Sequence, residues 1–393
     1  MQYGFTANPK LGWKPALDGL RGFAVLAVMM RHFQYEGFNN HSVVLLPGGG
    51  IGVDLFFVLS GFLITTLLLQ EWAATGSISI LNFYIRRGLR LLPALAAFLV
   101  AFVVIASVVH TPVQTTGEVS IAVLLRNLAA IATYSFNWLM ALGWERVWGL
   151  GHLWSLSVEE QFYLVWPALL ILLLRLRISP LLLLGLSGAA FAISASLPMI
   201  WSEERFARFY FATDYRIHTI LVGCLLAQLY VGGIIKASVT QLPLFKLGLA
   251  ASLAFLLTAA VWLESEDRFI FLGGYTFVAV AAGFVLTSGF FASQGLGHQM
   301  LTNKAIVYVG KRSYALYLWH YAIAYWLRDL ETVPQILLSF AASFLAAELS
   351  HRLVEAPALR LKGRFGSEAE TPSAKQQPAT RAPAREPRPA TAR

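Results

Sequence analysis

Long apolar runs, each bounded by charged or turn-forming residues, occupy most of the chain from about residue 17 to residue 354. A helix rises 1.5 Å per residue, so about 20 residues cross a hydrocarbon core about 30 Å thick. Ten runs are candidates: 17–35, 49–70, 91–110, 160–175, 180–200, 216–233, 244–263, 269–290, 305–327 and 334–354. The fourth is short and could begin near Leu153. The stretch from Ile121 to Met140 is apolar too, but Arg126, Asn127 and Asn137 interrupt it, which predicts an interfacial or partly buried helix. The expected fold is all-α: a polytopic integral membrane protein with about ten transmembrane helices.

Composition agrees. Apolar residues make up 57% of the 393 positions and charged residues 13%, against roughly 25% charged in soluble proteins. The single cysteine, Cys224, excludes an internal disulfide and a multi-thiolate metal site. The net charge of +9 is dispersed between the apolar runs and forms no nucleic-acid-binding patch. Lys10, Lys14, Arg86, Arg87, Arg90, Arg175, Arg177, Lys236, Lys246 and the basic residues from Lys304 to Arg364, Arg328 excepted, fall on one side of a ten-span arrangement. The other side receives Arg126, Arg146, Arg205, Arg208, Arg216, Arg268 and Arg328, with acids nearby. Positive charge marks the cytoplasmic side, so both termini are expected inside. The first run continues into a second without a small-residue cleavage pattern, so it reads as a span and not a removable signal peptide. Residues 1–365 are expected to form the membrane domain. Residues 366–393, rich in Pro, Ala and Arg, are expected to be a disordered cytoplasmic tail.

Ionisable residues inside spans each cost about 2.5–3.5 kcal/mol on insertion scales and so need a partner or a task. Arg21 and His32 lie eleven residues apart, about 16 Å along a helix and on the same face. Either both snorkel to water at the helix ends, or a phosphate-binding guanidinium is aligned with a general base. Asp54 follows the glycine-rich run Gly48-Gly49-Gly50-Ile51-Gly52. It either caps a helix or orients a histidine or a substrate hydroxyl. Arg86 and Arg90, and Arg87 and Arg90, have helical spacings that bring guanidinium groups together. Such groups grip phosphate, although ordinary positive-inside anchoring against lipid headgroups is the reading that spacing alone favours. In Trp154-Ser155-Leu156-Ser157-Val158-Glu159-Glu160-Gln161, Ser157 and Glu160 match a capping box, which leaves Glu159 without a structural task. His320 is a second intramembrane histidine, of the kind that commonly bonds between helices.

Taken together these motifs resemble the acyltransferase-3 family of membrane O-acyltransferases. The resemblance rests on Leu17-Asp18-Gly19-Leu20-Arg21-Gly22 with His32, Gly52-Val53-Asp54 through Phe62, and Phe83-Tyr84-Ile85-Arg86-Arg87 through Arg90 and Pro93. Trp154 through Tyr163 and Ser313-Tyr314 through His320 complete it. It covers residues 14 to about 360. The resemblance implies a ten-helix domain that moves an acyl group, often acetyl, from cytosolic acyl-CoA to a hydroxyl of a carbohydrate or other acceptor. It implies His32 as the essential histidine, Arg21 as its partner, and functional positions at Asp54, Arg87, Arg90, Ser157 and Glu159. With the short tail, the branch implied is the stand-alone one, in a bacterial inner (cytoplasmic) membrane.

The expected mechanism has Arg21, Arg86, Arg87 and Arg90 holding the phosphates of acyl-CoA, acetyl-CoA in the first instance, with no metal. His32 activates the acceptor hydroxyl, or carries the acyl group briefly. Glu159 or Asp54 fixes the imidazole. The expected partners are the lipid bilayer, acyl-CoA and a carbohydrate acceptor, and a homo-oligomer is compatible with the sequence. The competing reading is a glycan or lipid transporter whose intramembrane charges line a path.

Overall fold

The computed structural model describes residues 11–33, 46–109, 120–200, 206–264, 267 and 269–362. The expected tail over 366–393 lies outside the described residues, as do Lys10, Arg205, Arg268 and Arg364. No β-strand occurs among the described residues. The helices are α1 (Pro15–Phe33), α2 (Ile51–Thr75), α3 (Ile80–Val109), α4 (Ile121–Ala132), α5 (Phe136–Ala141), α6 (Trp154–Arg175), α7 (Pro180–Ile200) and α8 (Phe206–Phe211). They continue with α9 (Thr213–Val231), α10 (Pro243–Trp262), α11 (Tyr275–Phe291), α12 (Leu296–Thr302), α13 (Lys304–Lys311), α14 (Ser313–Trp326), α15 (Thr332–Ser350) and α16 (Ala356–Lys362).

Six of these stretches are long and apolar enough to cross a membrane: Ile51–Thr75, Ile80–Val109, Gly151–Arg175, Pro180–Pro198, Pro243–Trp262 and Thr332–Leu361. The pair α11 and α12, bent by 87°, brings the number to seven if it counts as one span. That is fewer than ten, and the reason is chemical. The runs at 17–35 and 216–233 do form 19-residue helices, α1 and α9, but charged residues interrupt their apolar character. The run at 305–327 divides at Arg312 into α13 and α14. The protein is an integral membrane protein in which α1 and α9, despite their charged residues, are largely buried among the other helices.

Burial sorts the layers. The most apolar window of α2 is 67% buried, whereas that of α10 is 11% buried and turns its Leu and Val side chains outward. Helix α2 crosses α9 where Gly61 meets Ile220 and Gly223 meets Val58; a Cβ on either glycine would collide with the facing carbonyl. Small residues of this kind let helices in lipid approach to backbone contact. The segment from Ile121 to Met140 is broken, as α4 and most of α5. Buried Asn127 there accepts from the Val147 amide at 3.0 Å and donates to the Glu145 carbonyl at 3.2 Å, which secures the following loop.

Candidate active site

Helix α1 carries the site from end to end. At one end Arg21 donates to Asp18 at 2.9 Å, and the Trp13 indole donates to the other carboxylate oxygen at 2.8 Å. At the other end His32 reaches across to α14, where its Nδ1 lies 2.8 Å from Nε2 of His320. The two rings stack with centroids 5.0 Å apart, and Tyr321 meets His32 edge-on at 4.8 Å. His320 is fully buried, and its Nδ1 sits 2.9 Å from the Tyr317 carbonyl and 3.1 Å from that of Leu316. His152, buried in the turn before α6, packs against the His320 ring at 5.2 Å. His32 is thus one member of a group of three histidines from three elements. Among the described residues no group of His, Cys, Asp and Glu is arranged to hold a metal ion.

The arginines of α3 have separate surroundings. Arg86 pairs with Glu71 at 3.9 Å, near the α2–α3 turn, and is not part of the cluster its spacing suggested. Arg87 donates to Glu160 at 3.1 and 3.2 Å and lies 3.2 Å above the centre of the Tyr163 ring. Arg90 is within electrostatic reach of Arg21, Arg87 and Asp18 and is exposed, with no hydrogen-bond partner among the described residues. Three guanidinium groups from α1 and α3 therefore converge at the Arg21 end. Such an array suits a polyphosphate group.

Glu159 lies between the two ends. It accepts from the Ser60 hydroxyl at 2.6 Å, is within electrostatic reach of Arg21 and Arg87, and is also near Tyr317, whose ring packs against His320 at 5.5 Å. The Tyr317 hydroxyl donates to the His152 carbonyl at 2.7 Å and stands 2.6 Å from the Ser155 hydroxyl.

Two expectations change form. Ser157 is not an N-cap: α6 begins at Trp154 after a 3-10 turn over Gly151–Leu153, so Ser157 is buried inside the helix and Glu160 is free to meet Arg87. Asp54 is not a cap either, because the α2 N-terminus has no side-chain cap bond. Its Oδ1 accepts from Arg216 at 2.7 Å, with both residues at 1% exposure or less. The Arg216 guanidinium stacks 3.5 Å above the Tyr275 ring and lies within 6 Å of Phe57, Trp154 and Tyr210. The ring bonded to His32 is accordingly His320, neither Asp54 nor Glu159. His320 stood in a quoted motif and His152 beside another, but 288 positions separate His32 from His320, and nothing local announces that pairing. Arg216 gave no motif signal.

Comparison with known families matches residues 14–349 to the acyltransferase-3 family, described as an acyltransferase domain. The chain is a member of that family. Curated relatives include an O-acetyltransferase OatA of Staphylococcus aureus strain MRSA252, 33% identical over 377 residues, covering 92% of this chain and 60% of the relative. A second OatA, from strain NCTC 8325 / PS 47, is 33% identical over 363 residues, covering 89% of this chain and 57% of the relative. The chain thus spans somewhat under two thirds of the length of these relatives. No solved structure matches it.

Proposed function

We propose that this protein is a membrane O-acetyltransferase that moves an acetyl group from acyl-CoA to a hydroxyl of a carbohydrate or glycosylated acceptor. The observation that carries this reading is the layout of α1, one rigid helix with a guanidinium cluster at its Arg21 end and an imidazole in a histidine group at its His32 end. About ten helices or helix pairs cross a bacterial inner membrane, with the arginine end and both termini towards the cytoplasm, as the distribution of Lys and Arg favours. Arg21, Arg87 and Arg90 hold the CoA phosphates, and the phosphopantetheine arm extends along α1 towards His32. Nitrogen Nε2 of His32 takes the proton of the acceptor hydroxyl while the hydroxyl oxygen bonds to the thioester carbonyl carbon. The carbon–sulfur bond breaks, and the CoA thiolate recovers the proton from the imidazolium. Glu159, between the two ends, lines the route of the arm.

The test is acetyl transfer from labelled acetyl-CoA by purified protein in proteoliposomes, with the acceptor read by mass. Gain of one acetyl unit supports the enzyme; movement of an unchanged acceptor supports a transporter and overturns the reading. His32→Ala is expected to lower kcat by about 10²–10⁴-fold, the usual contribution of a general base.

A further inference from the structure

Nitrogen Nδ1 of His320 faces two carbonyl oxygens, of Leu316 and Tyr317, at 3.1 and 2.9 Å. Carbonyls only accept, so Nδ1 bears the hydrogen and donates to them. In a neutral imidazole the second nitrogen is then an acceptor, and Nε2 of His320 lies 2.8 Å from Nδ1 of His32. His32 must therefore donate from Nδ1. Its own Nε2 is left with the lone pair, and nothing among the described residues hydrogen-bonds that atom.

We infer that His320 is a positioning residue that fixes His32 in the tautomer whose Nε2 can accept the acceptor-hydroxyl proton. The inference rests on the reading of His32 as general base and deepens it. In the transfer step the proton passes from the hydroxyl to Nε2 of His32 and then to the departing thiolate, while His320 keeps its own hydrogen throughout. Positive charge growing on His32 strengthens the Nδ1–H donation to His320. The two carbonyls polarise His320 into a better acceptor, since chained hydrogen bonds reinforce one another. A buried carboxylate in this place would carry an unpaired charge in the resting enzyme, at a large desolvation cost. A neutral imidazole orients the base without that cost. The surroundings fit a neutral pair: His152, Tyr317 and Tyr321 adjoin the rings, Phe33 packs against His320 and Phe98 against His152, and Arg31 on α1 is the adjacent cation. His152 is committed elsewhere, with its Nε2 3.1 Å from the Leu318 carbonyl.

The experiment compares His320→Gln with His320→Leu, alongside His32→Ala, in the same proteoliposome assay. Glutamine keeps an acceptor oxygen near the place of Nε2, and leucine does not. His320→Gln is expected to stay within about tenfold of the wild-type kcat, and His320→Leu to lose about 10²–10⁴-fold with the KM for acetyl-CoA unchanged. Wild-type kcat in His320→Leu while His32→Ala is inactive overturns the positioning role alone; wild-type kcat in His32→Ala removes the general-base reading as well. Equal losses with Gln and Leu also overturn the positioning role. If His320→Leu does not accumulate as folded protein, 15N-histidine spectra of the wild type, with His32 assigned by difference against His32→Asn, decide the matter. A neutral ring protonated at Nδ1 is expected for His32, and protonation at Nε2 overturns the inference.

Discussion

A carboxylate and a guanidinium sealed together beneath aromatic rings make Asp54 and Arg216 the most deeply buried ion pair among the described residues. Removing one partner of a buried ion pair leaves an uncompensated charge and costs about 3–5 kcal/mol, whereas replacing both with apolar side chains is often tolerated. Asp54→Ala is therefore expected to lower the unfolding temperature of the detergent-solubilised protein sharply, and the double replacement Asp54→Leu with Arg216→Met to recover most of it. Activity recovered with stability would show that Asp54 serves the fold; stability without activity would return it to the reaction. The sequence singled out Asp54, at the start of an apolar run, as a helix cap or an orienting group. It did not mark Arg216, because the two lie 162 positions apart and an ion pair leaves no local pattern. The same holds for His32 and His320.

Helices were more legible than side-chain partners, because an apolar run of the right length has few alternatives in lipid. Their breaks were less so. Arg312 splits the run at 305–327 where it binds Glu348, while Asn303, accepting from the Ala305 amide at 2.9 Å, starts α13 afresh. The Ser157–Glu160 spacing suggested an N-cap at Ser157, but the observed one is Leu153, four residues earlier, because the turn at Gly151–Leu153 already feeds the chain into α6. The α2–α9 crossing offers a direct test of packing. Overpacking typically costs about 1–3 kcal/mol, so Gly61→Val is expected to lower the unfolding temperature, while Gly185→Ala, facing open space, leaves it unchanged.

For the molecule as a whole, orientation is the property on which donor access depends. The single cysteine, Cys224, is buried between α2 and α9, so it gives little background for labelling. Leu142→Cys lies in the exposed connection after α5, and Gln241→Cys in the exposed turn before α10. An impermeant maleimide on intact cells is expected to label Leu142→Cys and spare Gln241→Cys, and to label both once the membrane is broken. The reverse pattern would place the arginine cluster outside, away from cytosolic acyl-CoA.

On the function proposed above, a single stiff rod bears both the phosphate-gripping end and the proton-accepting end, so the gap between them cannot adjust to the donor. The rod then acts as a gauge, admitting carriers whose reactive carbonyl sits a full pantetheine length from their anionic head. Compact donors such as acetyl phosphate, with the two groups side by side, cannot touch both ends at once.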